Sequence, residues 1–548
     1  MLPKKTFKTD VVVMGAGLAG ITAAIWATKK GAKVMILSSS IIGSGSSFYP
    51  GTWGLGLIGP ENKEDEKNLL DTVLQVGEGM ADPKLASVLV QGIDDAIYDL
   101  KALGIPLKEA VQKNEKEFIP CFDHKKRNWH GIVKESARRI LQQELNRLGV
   151  KEFTQTTVTD IIINDGRVSG VTAIQRQKEA DTLLTIGRTS VIIASGGLGG
   201  LFKYRLNTSD VKGMGQYLAF KAGASLMNLE FMQIMPGFID PAPKTIFNEK
   251  VFRYSEFHHA VTGKSIFEDW SKEKLDERLE IRSTHGPFTC RLGCEGVDIR
   301  LYREFLKGES NVRLSYKEEL KENQPEFVKI YFEWLKKEKN LTMDDPVYLG
   351  IFAHASNGGI YIDAYGRTGV EGLFACGEAT GGMHGADRIG GLSTANALVF
   401  GKIAGCSAAE YSKGHQPVIP NENGTLTCVP GADKLIEKIR MLNFETAMVA
   451  REEKLTLHAL EQISEIKNKA EKSRFALQQN EITGKHYVKT RELEAAITLS
   501  EAMLQGILLR KESRGSHYRV DYPIKNHNMA KPIISTLKEG KIIQTFLK

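Results

Sequence analysis

Cysteine is scarce, with six residues among 548, and only Cys290 and Cys294 are close in sequence. No Cys-x-x-Cys, iron–sulfur or haem-attachment pattern is present, so we predict no metal site. Apolar runs are short, and none reaches the roughly 18 residues that a membrane-spanning helix needs. The run after basic residues 1–8 breaks at Gly15, too early for a signal peptide. We therefore expect a cytoplasmic protein with reduced thiols and no direct membrane insertion.

Neither sign of charge dominates the sequence. Lys and Arg total 73 against 66 Asp and Glu, a net charge of +7, so we expect no nucleic-acid partner. Hydrophobic residues make up 42% and charged residues 25%, a globular balance, and 548 residues suggest about three to four domains. Glycine, by contrast, is abundant, with 53 residues. Because glycine lets backbone approach a ligand closely, its abundance favours a cofactor-binding protein.

The N-terminal segment carries a dinucleotide-binding fingerprint. A buried strand is predicted over 10–14, and the sequence Gly15-Ala16-Gly17-Leu-Ala-Gly20 turns it directly into a helix. The first glycine allows the tight turn, the second lets the backbone approach a pyrophosphate, and the third lets the helix pack on the strand. The positive end of that helix then meets the phosphates. We therefore predict that Gly15, Ala16, Gly17 and Gly20 bind the cofactor.

The second strand of this unit, predicted over 32–37, is followed by Ser38. An acidic residue normally holds the ribose here, and a serine hydroxyl would make a weaker hydrogen bond to the same group. Only one such fingerprint is present, and no second nicotinamide-binding unit is evident. FAD is therefore favoured over NAD.

The composition and the predicted secondary structure change several times along the chain. Short alternating segments between 153 and 194 predict an antiparallel meander feeding a strand over 190–194. Residues 237–345 are charged, aromatic-rich and poor in glycine, which indicates an inserted domain, and the glycine-rich texture then resumes. A linker near Gln416 to Pro420 precedes long charged helical patterns. The predicted divisions are a first part of the cofactor domain (1–236), the insert (237–345), its second part (346–415) and a helical C-terminal domain (430–548).

The densest motif, Gly372 to Ser393, resembles the flavoprotein family of fumarate reductase, succinate dehydrogenase and L-aspartate oxidase. Further segments carry the resemblance in chain order: the N-terminal fingerprint, Ile193-Ala-Ser-Gly-Gly197, Glu230-Phe-Met-Gln233, His354 and Arg510 to Pro523. It implies an α/β fold in which a Rossmann-like FAD-binding domain is interrupted by an α+β capping domain and followed by a helical C-terminal domain. The charged residues near the C-terminal motif are expected to dock that domain.

The resemblance also implies site residues. Arg388 would grip a substrate carboxylate, because its planar fork meets both oxygens, and His354 would hydrogen-bond to it. Arg282 would deliver a proton. For the cofactor it implies contacts from Ser195, Gly196, Gly197, Gly377, Glu378, Arg388 and Ser393, besides the fingerprint residues and Ser38.

One departure from the family bears on the substrate. Where the family has a histidine that grips a second carboxylate, this chain has Met235. We therefore expect Met235 to contact a substrate with one clamped carboxylate, held by Arg388 and His354, and a different far end. The alternative is that Met235 merely fills space and that fumarate binds through other residues.

The expected activity is FAD-dependent oxidoreduction of a CH–CH bond, with hydride passing between flavin N5 and the Cα–Cβ bond of a carboxylate such as a 2-enoate. Alternatives are an ordinary flavoprotein component of fumarate reductase or succinate dehydrogenase, amine oxidation like that of L-aspartate oxidase, and an electron-relay subunit. An electron-donor or iron–sulfur protein is a possible partner.

The mode of flavin attachment is a first testable prediction. In membrane-bound respiratory members of the family, a histidine shortly after the second strand attaches to FAD, whereas Ile41 to Trp53 contains no histidine. We expect FAD to be noncovalent, so denaturation should release all of the flavin. Mass spectrometry of the denatured chain should give the mass of the polypeptide alone, and a mass increased by one flavin would contradict the prediction.

Overall fold

The computed structural model describes residues 2–109, 122–125, 127–187, 190–322, 324–415, 426–476 and 484–547. The linker predicted near Gln416 to Pro420 lies outside these ranges. The strands are β1 Lys4–Lys8, β2 Val11–Met14, β3 Val34–Leu37, β4 Gly56–Gly59, β5 Leu107–Glu109, β6 Asn128–Ile132, β7 Lys151–Phe153, β8 Thr156–Asn164, β9 Arg167–Gln175, β10 Thr182–Gly187, β11 Ser190–Ile193, β12 Leu226–Met227, β13 Met232–Asp240, β14 Ser255–His259, β15 Val312–Tyr316, β16 Val347–Ser356, β17 Gly359–Tyr361, β18 Leu373–Ala375, β19 Thr380–Gly381, β20 Thr427–Cys428, β21 Phe475–Ala476, β22 Ile533–Lys538 and β23 Lys541–Phe546. The helices are α1 Leu18–Lys29, α2 Lys63–Val76, α3 Pro83–Gln91, α4 Ile93–Ala102, α5 Lys134–Arg147, α6 Met214–Lys221, α7 Lys272–Arg282, α8 Glu295–Lys307, α9 Glu318–Glu322, α10 Glu326–Lys339, α11 Leu392–Lys413, α12 Ala432–Thr446, α13 Glu453–Ser473 and α14 Gly484–Leu509.

A parallel sheet forms the centre of the cofactor domain, in the order β18-β11-β2-β3-β7. Its middle strands β2, β3 and β11 are buried along their whole length, as the apolar runs predict for a sheet covered on both faces. Strand β18 comes from the chain after the insert, so both parts of the domain build one sheet. The predicted βαβ unit and the antiparallel β8-β9-β10 meander are confirmed.

The insert leaves and re-enters this domain through two paired strands. β13 and β16 run antiparallel, and β15 and β14 extend them into a four-stranded sheet. Helices α7 to α10 belong to the same stretch of chain, which agrees with a mixed α+β insert. The entry and exit strands thus place residues 232–240 beside residues 347–356.

The C-terminal region packs three long helices, α12 to α14, against one another. After α14 the chain returns as the hairpin β22-β23, which the sequence analysis did not foresee, and β22 pairs with β12 of the cofactor domain. None of the helices in the described ranges combines the length and apolarity needed to cross a bilayer.

Buried arginines fix this region to the cofactor domain. Arg510 Nε lies 2.8 Å from Glu230 Oε1, and Arg451 Nη1 donates to the Glu230 carbonyl at 2.7 Å. Arg451 Nη1 also lies 2.6 Å from His517 Nδ1, and Arg519 pairs with Asp521. Burial and the neighbouring arginines hold the pKa of His517 well below its usual value, so this histidine is neutral. The docking role expected for the charged C-terminal residues is confirmed.

Helix α11 packs against α1 through small residues. A β-carbon on Gly405 would lie 2.4 Å from the Ala23 carbonyl oxygen, and one on Gly401 would lie 2.9 Å from the Ala19 carbonyl oxygen. These glycines therefore permit backbone contact between the two helices. Both helices begin at the site described below, so their spacing also sets its width.

We expect Gly405→Ala to destabilise the protein by about 1–3 kcal/mol, because the helices must move apart to accept the methyl group. Gly414→Ala is the matched control, since Gly414 ends the same helix and a β-carbon there would meet nothing within 4 Å. Its effect should stay within about 0.5 kcal/mol. Urea unfolding of the FAD-loaded proteins measures both, and equal stability of the two variants would contradict the packing argument.

Candidate functional site

One cavity brings together residues from nearly the whole length of the chain. Of the residues predicted from the sequence, its lining contains Gly15, Ala16, Gly17, Ser38, Ser195, Gly196, Met235, His354, Glu378, Arg388 and Ser393. The predicted residues Gly20, Gly197, Gly377 and Arg282 are absent from the lining.

The three predicted glycines that do not line the cavity occupy positions where a side chain would not fit. A β-carbon on Gly20 would lie 2.0 Å from the Gly15 carbonyl oxygen, so Gly20 lets α1 fold back on the turn. A β-carbon on Gly197 would lie 2.4 Å from Glu378 Oε1. Gly377 has a φ of 68°, which favours glycine. These residues shape the cavity from behind.

Two helix N-termini open into the cavity. Gly17 caps α1 and Gly391 caps α11, and neither N-terminus receives a side-chain capping hydrogen bond. Gly17, Gly391 and Ser393 all line the cavity. An uncapped N-terminus presents unpaired N–H groups and a positive dipole end, which suits the negative charge of a dinucleotide.

Several buried polar atoms on the lining lack a partner within the described structure. They are Ser46 Oγ, Ser195 Oγ, Asp210 Oδ1, His354 Nδ1, His384 Nδ1 and Asn396 Oδ1. Because buried polar groups are normally hydrogen-bonded, these atoms indicate the place of a large polar ligand. The residues present therefore fit FAD.

Ser38 is tied into its own loop. Its hydroxyl donates to the Ile41 carbonyl at 3.0 Å and accepts from the Ser40 N–H at 3.2 Å. A serine oxygen has two lone pairs, so one acceptor position is left for a ribose hydroxyl.

His354 occupies a β-bulge. In the β13–β16 ladder Ile234 pairs with Ala353 and Gln233 with Ala355, so His354 is the extra residue between them. A bulge turns its side chains away from regular alternation. Accordingly the three consecutive residues His354, Ala355 and Ser356 all line the cavity.

Arg388 lies close to two neutral histidines. Its Nε donates to Gln233 Oε1 at 3.1 Å, which fixes the plane of the guanidinium. Burial, followed by the charge of Arg388, lowers the pKa of both His354 and His384 to about 3. Both imidazoles are therefore uncharged near neutral pH, and the positive charge at this end of the cavity belongs to Arg388.

Glu378 also lines this cavity. Its Oε1 accepts from the Ser356 N–H at 3.1 Å, and burial raises the pKa of its carboxyl. The Ser356 N–H and the charge of Arg388 oppose this shift. Glu378 thereby joins the cofactor loops to β16.

Arg282 is fully buried behind the cavity wall. It forms a two-pronged ion pair with Asp298, at 2.7 and 3.0 Å, and stacks on Phe252. Its Nη2 also donates to the Gly286 carbonyl at 3.0 Å, and Gly286 lines the cavity. Arg282 therefore supports the wall through the Gly286 backbone and does not itself line the cavity.

The sequence analysis assigned no role to His384 or to the loop Ser44 to Ser47, all of which line the cavity. The available signal was position: His384 lies four residues before Arg388 in the densest motif. The loop gave none, because serines are common in any turn and only the fold places these beside Gly17.

Comparison with known proteins identifies the family. The family described as "FAD binding domain" matches residues 10–252 and 305–394, and "Fumarate reductase flavoprotein C-term" matches 437–541. The chain belongs to the fumarate reductase and succinate dehydrogenase flavoprotein family. FAD as the cofactor of this flavoprotein, predicted from one glycine fingerprint, is thereby confirmed.

Relatives of this flavoprotein carry different activities in their names. The fumarate reductase (CoM/CoB) of Methanothermobacter marburgensis has a subunit that is 26% identical, over 95% of this chain and 96% of its own. L-aspartate oxidase of Streptomyces coelicolor is also 26% identical, over 95% and 90%. The fumarate reductase flavoprotein subunit of Escherichia coli is 24% identical, over 94% and 89%.

Solved structures support the same fold. The Mycobacterium smegmatis Sdh1 complex in the apo form contains a chain with a TM-score of 0.80 and 22% identity, covering 99% of this chain and 94% of that one. A chain of the quinol-fumarate reductase with menaquinol molecules has a TM-score of 0.77 and 21% sequence identity. The match covers 99% of this chain and 98% of that one.

Asp387, beside Arg388, makes stability depend on pH. Thr289 Oγ1 donates to its Oδ2 at 2.7 Å, and burial raises the pKa of the carboxyl from 3.8 to about 7. The folded protein thus keeps a proton that the unfolded chain loses, so this group's contribution to stability falls as pH rises from about 4 to 7. A pKa difference of about three between the two states corresponds to at most about 4 kcal/mol.

Asp387→Asn should remove this pH dependence. Relative to the wild type, the variant should gain stability progressively between pH 4 and 7 and keep a constant gain above pH 7. Urea unfolding at pH 5, 6, 7 and 8 measures the difference, with Asp71→Asn on the exposed face of α2 as control. A difference that does not change with pH would argue against a raised pKa.

Proposed function

We propose that this flavoprotein catalyses oxidation or reduction of the Cα–Cβ bond of a carboxylate substrate with one clamped carboxylate, such as a 2-enoate. The observation that carries the proposal is the placement of Arg388 on the cavity lining, oriented by Gln233 and flanked by neutral His354 and His384. A guanidinium fork binds a carboxylate through two parallel hydrogen bonds, so the site suits a carboxylate better than a neutral ligand.

FAD, when bound, supplies the two-electron chemistry of this reaction, and the proton that Cα gains on reduction or loses on oxidation is exchanged with solvent. Arg388 holds the substrate carboxylate and stabilises the negative charge that spreads onto it as the double bond is attacked. His354 remains neutral because of its depressed pKa, so it serves as a hydrogen-bonding group. Its place in the bulge aims it into the cavity rather than along the sheet.

For Arg282 we propose a positioning role, in place of the proton delivery that the family resemblance implied. Its guanidinium already bonds to Asp298 and to the carbonyls of His285 and Gly286. Breaking a buried ion pair leaves an uncompensated charge, so Arg282 is costly to release. It holds the Gly286–Pro287 wall against the substrate.

We further propose that FAD is noncovalent and that electrons come from a partner protein, an electron donor or an iron–sulfur protein. Two of the relatives above are named as subunits of fumarate reductases, which favours such an assembly over an isolated enzyme.

The test is anaerobic reoxidation of the chemically reduced enzyme, followed by flavin absorbance. Fumarate, small monocarboxylic enoates and aryl enoates are compared with buffer. We expect an enoate to reoxidise the flavin, and Arg388→Gln to lower kcat/KM by about 10²–10³-fold while FAD stays bound. Arg300→Gln, which removes a surface ion pair with Asp269, is the matched control.

Two outcomes would contradict the proposed function. Wild-type rates in Arg388→Gln would refute the carboxylate role. If no enoate reoxidises the flavin, but oxygen does and L-aspartate reduces it again, the protein is an amine oxidase like its relatives named L-aspartate oxidase.

A further inference from the structure

The cavity wall around Met235 is apolar. Tyr49, Leu206, Met235, Ile246 and Phe352 form a small hydrophobic cluster that is separate from the main core, and all but Phe352 line the cavity. An apolar cluster that lines a cavity offers surface to a ligand, whereas a core cluster is closed by its own packing.

The aromatic members present ring surface to the cavity. The Tyr49 hydroxyl donates to the Lys244 carbonyl at 2.6 Å, so its polar end is already bonded to backbone. Trp53 lines the cavity next to this cluster and packs edge-on against Tyr331 of the insert, with ring centroids 4.8 Å apart. The fold therefore holds both rings in place.

Countercharge for a second carboxylate is missing from this wall. The cationic lining residues in the described part of the chain are Arg388 and Lys212, and Lys212 is paired with Glu492. The nearby Arg205 is buried outside the lining and donates to the Phe202 carbonyl at 3.3 Å. A second carboxylate placed against Met235 would lose its hydration without gaining a cationic partner from the described lining.

The backbone sets the distance between the two ends of the site. Gln233, which orients Arg388, and Met235 are two residues apart on β13, so they project from the same face about 7 Å apart. The group that orients Arg388 and the Met235 side chain are therefore anchored on one face of the same strand.

Resting on the function proposed above, we propose that the substrate's far end is an uncharged apolar group, aryl or branched alkyl, selected by Met235, Ile246, Tyr49 and Leu206. Met235 suits this role because its unbranched, polarisable side chain adapts to irregular apolar surfaces and makes favourable contacts with rings. The enzyme is accordingly selective for monocarboxylates over dicarboxylates.

The experiment measures kcat/KM of the FAD-loaded enzyme under anaerobic conditions, with a chemical reductant in excess as electron donor, for 3-phenylpropenoate, but-2-enoate and fumarate. We expect the aryl acid to exceed but-2-enoate by about 10-fold or more, and fumarate to be the poorest. Ile246→Ala should lower kcat/KM for the aryl acid by about 10–100-fold, with a smaller change for but-2-enoate, because it removes methyl and methylene contacts to the tail.

Met235→His gives the sharper test, because it adds a hydrogen-bond donor to the wall. It should raise kcat/KM for fumarate and lower it for 3-phenylpropenoate about 10-fold or more, which a loss of stability alone cannot do. Met441→His, at a partly buried position on α12 away from the cavity, controls for the new histidine.

Preference of the wild type for fumarate would overturn the inference, and loss of that activity in Arg205→Gln would identify Arg205 as the second clamp. A binding measurement tests this inference independently of the proposed catalytic function. If no enoate turns over, calorimetry of the oxidised enzyme with 3-phenylpropanoate and succinate still decides: tighter binding of the phenyl acid supports the apolar end, and tighter binding of succinate refutes it.

Discussion

The pairing of β13 with β16 is the contact on which the site depends. These strands close the long excursion of the insert, and they carry Gln233, Met235 and His354 to one place. The ladder contains two irregularities, and the extra residue at the one beside the cavity is His354. A regular ladder would turn His354 and Ala355 to opposite faces, so the bulge is what lets neighbouring residues share the cavity. The register of this strand pair therefore determines which side chains reach the cavity.

Buried charge is the second feature of this fold. Arg282, Arg451, Arg510 and Arg519 are each almost completely buried, and each is bonded to carboxylates or backbone carbonyls. Replacing a buried ion pair by apolar groups is often neutral for stability, so stability alone does not explain these arginines. Their bonds have directions, however, and those of Arg451 and Arg510 reach Glu230, more than two hundred residues earlier in the chain. These two arginines specify how the C-terminal region meets the cofactor domain, whereas Arg282 bonds within the insert.

Much of this architecture could be predicted from the sequence, because its strongest signals are local. The glycine fingerprint, the buried strands and the charged helices each follow from spacing within a few residues. The hairpin β22-β23 was missed because its partner, β12, lies some three hundred residues earlier in the chain. The bulge at His354 was missed for the same reason, since register depends on both strands. His384 and the loop Ser44 to Ser47 could not be assigned to the site from the sequence, because only the folded structure shows that they line the cavity.

The cavity draws on residues from Met14 to Glu492. Domains generally fold from the N-terminus as the chain is made, but this site is not finished when the first βαβ unit is. The α11 N-terminus, Arg388 and the C-terminal helix that carries Glu492 must all be in place before the wall closes. Completion of the cofactor cavity thus requires translation of the chain as far as Glu492.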